Sequence, residues 1–410
     1  MKIETGSTIS TRAAGSSVRG GRSTPSLVQA PWVLVAGGFH RNGGMDKANL
    51  ALAEYLIERG TPVHVVGYSV DAQLAQHPSI TVHKVHQPAG SVLLGKPLLD
   101  ARGKKVARAL TTQNPDTMVV VNGDNCIWPG VNWIHYVHHA WDPKSDEGPV
   151  WFRIKQKIAR AMARSGEKSA ARTSRLFISN SERTTRDLIE TLGIDPSQIH
   201  TVYLGAETEW GVVTAEEKAA SRVSLGLDPE RPLAVFVGSL ALDNRKGFDT
   251  LFEAWARLCR SSDWDVDLLV AGAGNGLPFF RAKAAAAGLE QRIRMLGFSE
   301  HVRDLLAAAD ALVSPVRYEP YGLNVQEAIC RGIPSIVSAC AGVAEKYGPE
   351  VSALLLSNPD SVEELMERLL LWHSNRNHWQ ARFQKFGEDL RAYGWKDMAR
   401  GIVTLVEANF

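Results

Sequence analysis

Two carboxylates eight positions apart, Glu319 and Glu327, flank a turn in the stretch Tyr318-Glu319-Pro320-Tyr321-Gly322-Leu323-Asn324-Val325-Gln326-Glu327-Ala328-Ile329. Before it, the apolar run Ala311 to Ser314 predicts a short buried strand that Pro315 terminates. After it, Leu323 to Cys330 has helical spacing, with a stop at Gly332 and Pro334 and another apolar run from Ile333 to Val337. Strand, loop, helix and strand in that order put both acids at the sheet edge where α/β folds bind ligands. Unpaired N–H groups at the helix start near Gly322 suit an anion. Glu319 in the loop and Glu327 in the helix can accept hydrogen bonds from hydroxyls on two sides. A phosphate between two hydroxyl-rich groups fits that arrangement, and a nucleotide-sugar is such a molecule.

Further groups of the right chemistry lie elsewhere. Val237-Gly238-Ser239-Leu240, then Asn244-Arg245-Lys246-Gly247, reads as strand, loop and helix start. A diphosphate that departs with growing negative charge needs cations there, and Arg245 or Lys246 can supply one; a solvated basic turn is the plainer reading. Gly37-Gly38 and Gly43-Gly44 bracket a loop that lets backbone approach a ligand closely. It has neither a phosphate-loop Gly-Lys-Ser/Thr nor the dinucleotide G-x-G-x-x-G. His138 and His139 close a predicted strand over Trp133–Val137, on which His135 reads as a packed residue. Gly272-Ala273-Gly274-Asn275-Gly276 is a turn after a strand. Asp263-Trp264-Asp265 spells D-x-D but sits at a strand entry, opposite the expected ligand edge, so no metal is called for.

The elements that position these groups alternate strand and helix from Pro31 onward, which implies parallel sheets with right-handed crossovers. At 410 residues the chain should form about two domains. The expected fold class is α/β, with two Rossmann-like, doubly wound parallel-sheet domains facing a cleft. Their expected bounds are 31–207 and 208–385, after a disordered Ser-, Thr-, Gly- and Arg-rich tail over 1–30 that only loosely resembles a transit peptide. Net charge is +2, which argues against nucleic acid as the main partner. Four cysteines without C-x-x-C spacing read as reduced core residues of a cytoplasmic protein. Trp151 to Arg164 is basic and amphipathic; it reads either as a helix lying on an anionic membrane face or as a domain helix with an exposed basic side.

Taken together, these pieces resemble the retaining glycosyltransferases of family 4, which have the GT-B fold. Glu319 and Glu327 match that family's E-x7-E signature inside Glu-Pro-Tyr-Gly-Leu…Glu-Ala, and the likeness spans 31 to 405, strongest from Phe236 to Glu345. The last segment, Trp395 to Ala408, reads as a helix, and the resemblance implies that this C-terminal region, over 386–410, crosses back onto the first domain. It implies that Glu319 holds the donor sugar and Glu327 the ribose. Lys246, with Arg245, and the N–H groups at Gly322 and Leu323 would hold the diphosphate, with Gly272 and Gly274 nearby. A His at the strand end contacts the sugar in the family; His138 is slightly favoured over His139. Gly43 and Gly44 would line the donor and acceptor sites. Many members carry an Arg where this chain has Ser239, and Arg245 is the candidate substitute.

The implied reaction moves a hexosyl group from a UDP- or GDP-linked sugar to an acceptor hydroxyl, on a glycan or a lipid-linked precursor of a cell-surface polysaccharide. It proceeds by front-face substitution, without a metal cofactor, the leaving phosphate taking the acceptor proton. Glu319, His138 and Lys246 are the expected catalytic groups, and the setting is the cytoplasm or the inner membrane face. The alternatives are a 2-epimerase-like nucleotide-sugar isomerase or hydrolase on the same scaffold, and a catalytically silent nucleotide-binding partner subunit.

Overall fold

The computed structural model describes residues 29–143 and 150–410; the tail expected over 1–30 falls almost wholly outside them. Seven parallel strands form the first sheet, in spatial order Ile80–Lys84, Val63–Gly67, Trp32–Val35, Met118–Asn122, Val131–Ile134, Leu176–Ser179 and Ile199–Thr201. Six form the second: Ile293–Gly297, Asp267–Ala271, Leu233–Val237, Ala311–Ser314, Ser335–Ser338 and Leu355–Leu356. Helices cover both faces of each sheet, so the strands read as continuous apolar runs rather than alternating ones. Strand order reverses beside Trp32–Val35 in the first sheet and beside Leu233–Val237 in the second. A crevice opens at such a reversal, beyond the carboxyl ends of the strands. The glycine loop at 37–44, the basic loop at 238–247 and the Glu319 loop all leave those strand ends.

Two differences from the sequence expectation have clear physical causes. The strand expected over Trp133–Val137 runs instead from Val131 to Ile134. The Tyr318 hydroxyl lies 3.2 Å from both the amide and the carbonyl of Val137, which takes that backbone out of the sheet ladder and puts His135 in a loop. The helix Arg376–Arg391 also runs unbroken past position 385, with Trp379 and Phe383 buried in the second core. The return therefore comes later: Ala206 pairs with Gly394, and the helix Trp395–Asn409 buries Met398, Ile402 and Val406 in the first core against Gly44–Glu58.

The halves are joined directly beside the crevice. Ser181 caps the helix Glu182–Leu192 by accepting from the Thr184 amide, and its hydroxyl donates to the Pro320 carbonyl at 2.6 Å. The Glu345 carboxylate of the second half accepts from the amides of Glu182 and Arg183 at 3.0 and 2.6 Å, where the helix dipole favours an anion. The Tyr203 hydroxyl donates to the same carboxylate at 2.9 Å.

Candidate functional site

The loop after Ala311–Ser314 is tied down residue by residue, Glu319 included through its bridge to Ala341. Arg317 forms a double ion pair with Asp249, at 2.6 and 2.8 Å, and also bonds Asp360, so its charge is spent inside the second half. Tyr318 is buried with its hydroxyl on Val137, and Pro320 is held by Ser181. The Glu319 carboxylate meets the Lys246 ammonium, with Arg245 Nη1 4.0 Å away. Burial pushes this carboxyl upward, but the two cations outweigh it and hold it below its ordinary value. Lys246 is placed by Gly247, which has φ 68°; a Cβ there would lie 1.8 Å from the Pro315 carbonyl. Only glycine allows the basic loop to close on that strand end.

Gly322, at φ 109°, starts the helix Leu323–Cys330, and no side chain caps it. Its first amides are thus left for a bound anion, one residue pair beyond the Lys246–Glu319 contact. The first half closes the other wall: a Cβ on Gly44 would lie 3.2 Å from the Leu323 side chain, and Gly43 begins the helix Gly44–Glu58. One turn along that helix, Lys47 Nζ lies 3.0 Å from Glu327 and 2.9 Å from Glu207, with all three side chains at most 24 % exposed. Burial raises Glu327, with the Glu207 carboxylate adding to the rise and Lys47 opposing it. Lys47 itself is held above its ordinary value, since the two carboxylates outweigh its burial.

The histidine loop is fixed by one carboxylate from the helix Val150–Thr173. Glu167 accepts from the His138 amide at 2.7 Å and the His139 amide at 3.1 Å, and lies 2.5 Å from His139 Nδ1. The His139 ring is therefore turned to Glu167. The His138 ring packs on Tyr136 at 4.9 Å; Tyr136 in turn meets Tyr318 edge-on and carries the Arg245 guanidinium over its face at 5.7 Å. Burial holds His138 below its ordinary value, with Glu167 and Asp124 opposing. His135 packs on Trp133, and burial pushes it down to about 3.

Arg245, Lys246, Glu319, Gly322, Leu323, Glu327, Gly43, Gly44 and His138 thus gather around one crevice. Gly272 and Gly274 have a sufficient packing reason: a Cβ at either would lie 1.7 or 2.4 Å from backbone of the 238–240 loop. Asp265 pairs with His373 at 2.7 Å at the entry of the strand Asp267–Ala271, far from its ligand edge. Among the described residues no group of three or more His, Cys, Asp or Glu could hold a metal ion. Sequence reading missed Lys47, Glu207, Tyr136 and Glu167. Lys47 had a usable signal, the first turn of the helix after the glycine loop; Glu167, in the middle of a basic helix, had none.

The crevice and the two sheets agree with what the chain resembles. Residues 42–210 match the Glycosyltransferase Family 4 profile, and residues 217–389 match Glycosyl transferases group 1. The matches fall one on each half and together take in most of the chain, which belongs by sequence to these glycosyltransferase families and by fold to the GT-B architecture. Among individual relatives, an uncharacterized glycosyltransferase of Methanocaldococcus jannaschii is 27 % identical over 194 residues, 46 % of this chain and 48 % of that protein. The chain spans about half the length of the curated relatives it matches. Two solved structures cover nearly all of it. WaaG, a glycosyltransferase involved in lipopolysaccharide biosynthesis, has a TM-score of 0.71 at 19 % identity, over 92 % of this chain and 99 % of its own. HepE of Anabaena, in complex with UDP and glucose, has 0.67 at 18 %, over 93 % and 100 %.

Proposed function

We propose that the chain is a retaining hexosyltransferase that takes a sugar from a nucleotide-diphosphate donor to an acceptor hydroxyl. The observation that carries this reading is the Lys246–Glu319 contact beside the uncapped helix start at Gly322. It supplies a cation and free amides for the diphosphate, next to a carboxylate that accepts from sugar hydroxyls. In this reading the donor phosphates take Lys246 from Glu319, and the carboxylate turns to the sugar. The ribose comes to Glu327, which is paired with Lys47. Negative charge that develops on the leaving phosphate is met by Lys246, by Arg245 and by the amides of Gly322 and Leu323. The leaving phosphate oxygen takes the acceptor proton, so no protein nucleophile is required, and no metal is invoked. His138, on the aromatic wall of Tyr136, supports the sugar.

UDP is the first nucleotide to test, because the similar fold of HepE holds it. A thermal-shift panel of UDP, GDP, ADP and TDP tests the reading. A ligand at a hundred times its dissociation constant stabilises by about 2.7 kcal/mol, and one member of the panel should do so. No stabilisation by any of the four would overturn the donor class.

A lipid-linked or membrane-proximal glycan is the proposed acceptor, and the cytoplasmic membrane face the proposed setting. On the helix Val150–Thr173, Val150, Ile154, Ile158 and Met162 recur every fourth residue and are 48 to 67 % exposed. Arg153 and Lys155 are exposed beside them. A stripe of this kind, flanked by cations, suits the interface of an anionic bilayer. The side chains of Trp151 and Phe152 lie outside the described residues. No helix among the described residues is long and apolar enough to cross a membrane.

A further inference from the structure

A second cavity, of about 680 Å³, lies between the halves, and none of Lys47, Lys246, Glu319 or Glu327 lines it. Its size falls in the range that holds small organic ligands. Tyr203 of the first half, Tyr321 and Phe386 of the second, and Tyr393 at the crossover give it an aromatic wall. Its charge is unevenly satisfied. Arg382 is neutralised by Glu350 at 2.5 Å. Lys346 is not: its ammonium stands 3.2 Å above the Tyr203 ring centre, with no carboxylate in ion-pair reach among the described residues. The adjacent Glu345 is already taken by the amides of Glu182 and Arg183 and by the Tyr203 hydroxyl. Lys385 adds a second cation, and Asp389 an exposed acid, at the rim. The Glu345 and Glu182 carboxylates act on this ammonium only from beyond ion-pair distance, burial still holds it below its ordinary value, and the Tyr203 face is its direct support, so an anion brought to it would gain a charge-assisted contact.

We propose that this cavity is a second small-molecule site, for a ring-containing organic anion whose carboxylate meets Lys346 and whose ring lies among Tyr203, Phe386 and Tyr393. The cavity backs onto the segment that carries the crevice carboxylates. The Tyr321 hydroxyl bonds Gln326, whose amide donates to the Gly205 carbonyl at 2.8 Å, so the occupant touches the back of the segment that carries Glu319 and Glu327. Because both halves line it, an occupant stabilises their present arrangement.

The test is calorimetric titration of the full chain with 2-naphthoate, with 2-naphthalenemethanol as the uncharged match. One saturable site is expected for the carboxylate, with the alcohol weaker by about tenfold or more, the loss of one charge-assisted hydrogen bond. Lys346→Met should weaken 2-naphthoate to the same degree. Gly401→Leu should abolish binding, since a Cβ at Gly401 meets only Val202, at 3.8 Å, and the larger side chain grows into the cavity. Its unchanged melting temperature would show that the fold survives. Glu319→Gln should bind 2-naphthoate as the wild type does, which separates this site from the proposed donor site. Absence of saturable binding, equal affinity for acid and alcohol, or undiminished binding by folded Gly401→Leu would each overturn the proposal.

Discussion

Lys47 Nζ lies 3.0 Å from Glu327 Oε1, joining the first helix of one half to the crevice helix of the other across the mouth of the site. With Glu207 at 2.9 Å, one ammonium serves two carboxylates. Lys47→Met leaves them facing each other with no cation between. The expected loss is about 3 kcal/mol in urea unfolding at pH 8, typical of removing one partner from a buried pair. Glu327 is already raised by burial, and loss of Lys47 raises it further. A carboxyl raised in the folded state begins to penalise folding above its unfolded pKa and does so fully above its folded one, so the loss should be smaller at about pH 5 than at pH 8. Glu327→Gln should restore stability to the Lys47 variant. An equal loss at both pH values, without rescue, would refute the bridge.

Lys246 and Glu319 should separate in their effects. Glu319→Ala should cut sugar transfer by about a hundredfold or more, some 3 kcal/mol of transition-state stabilisation, while nucleoside diphosphate binding survives. Lys246→Ala should weaken the nucleoside diphosphate itself. Calorimetry and initial rates on the same preparations check both; equal diphosphate affinity for wild type and Lys246→Ala would remove Lys246 from the site.

Much of this geometry was legible before any coordinates, for a definite reason. The Glu319 loop, the helix after it and the basic loop at 245–246 are local features, where strand ends, glycines and helix starts are set by neighbours in sequence. The two-sheet architecture followed from alternating apolar runs. What was not legible is non-local. Nothing near Lys47 announces Glu327, 280 positions away. The Tyr318 hydroxyl shortens the strand before His135 from the opposite half, and Glu167 turns His139 aside from within a helix whose pattern spoke only of charge and apolar spacing. The bound expected at 385 falls inside a helix whose apolar spacing simply continues to Arg391, while the crossover helix itself was legible from Trp395 onward.

The exposed stripe on the helix Val150–Thr173 should direct the protein to anionic bilayers. In flotation with phosphatidylglycerol vesicles at low salt, wild type should float, and Ile154→Glu with Ile158→Glu should stay at the bottom, as each swaps apolar insertion for repulsion. Neutral vesicles should capture much less. Absence of wild-type flotation on anionic vesicles would leave the stripe as an ordinary exposed helix face.

Acid should destabilise the fold through two histidines. Burial pushes His135 from 6.5 down to about 3, and His83 to about 4 with help from His64 and Arg102. Each is neutral when folded and takes a proton on unfolding once pH drops below its ordinary value. The unfolded chain then binds more protons, so stability falls as pH drops from about 6.5 toward the folded values. His83→Gln should flatten the fall in denaturant midpoint between pH 6.5 and 4.5. An unchanged slope would show that His83 does not contribute to it.

The central claim is that the crevice grips a nucleotide-sugar by its diphosphate, and a crystal soaked with the best nucleoside diphosphate of the thermal-shift panel tests it most directly. The account predicts diphosphate density against the amides of Gly322 and Leu323, with the Lys246 ammonium moved from Glu319 onto a phosphate oxygen. Density elsewhere on the protein, with Lys246 still on Glu319, would contradict it.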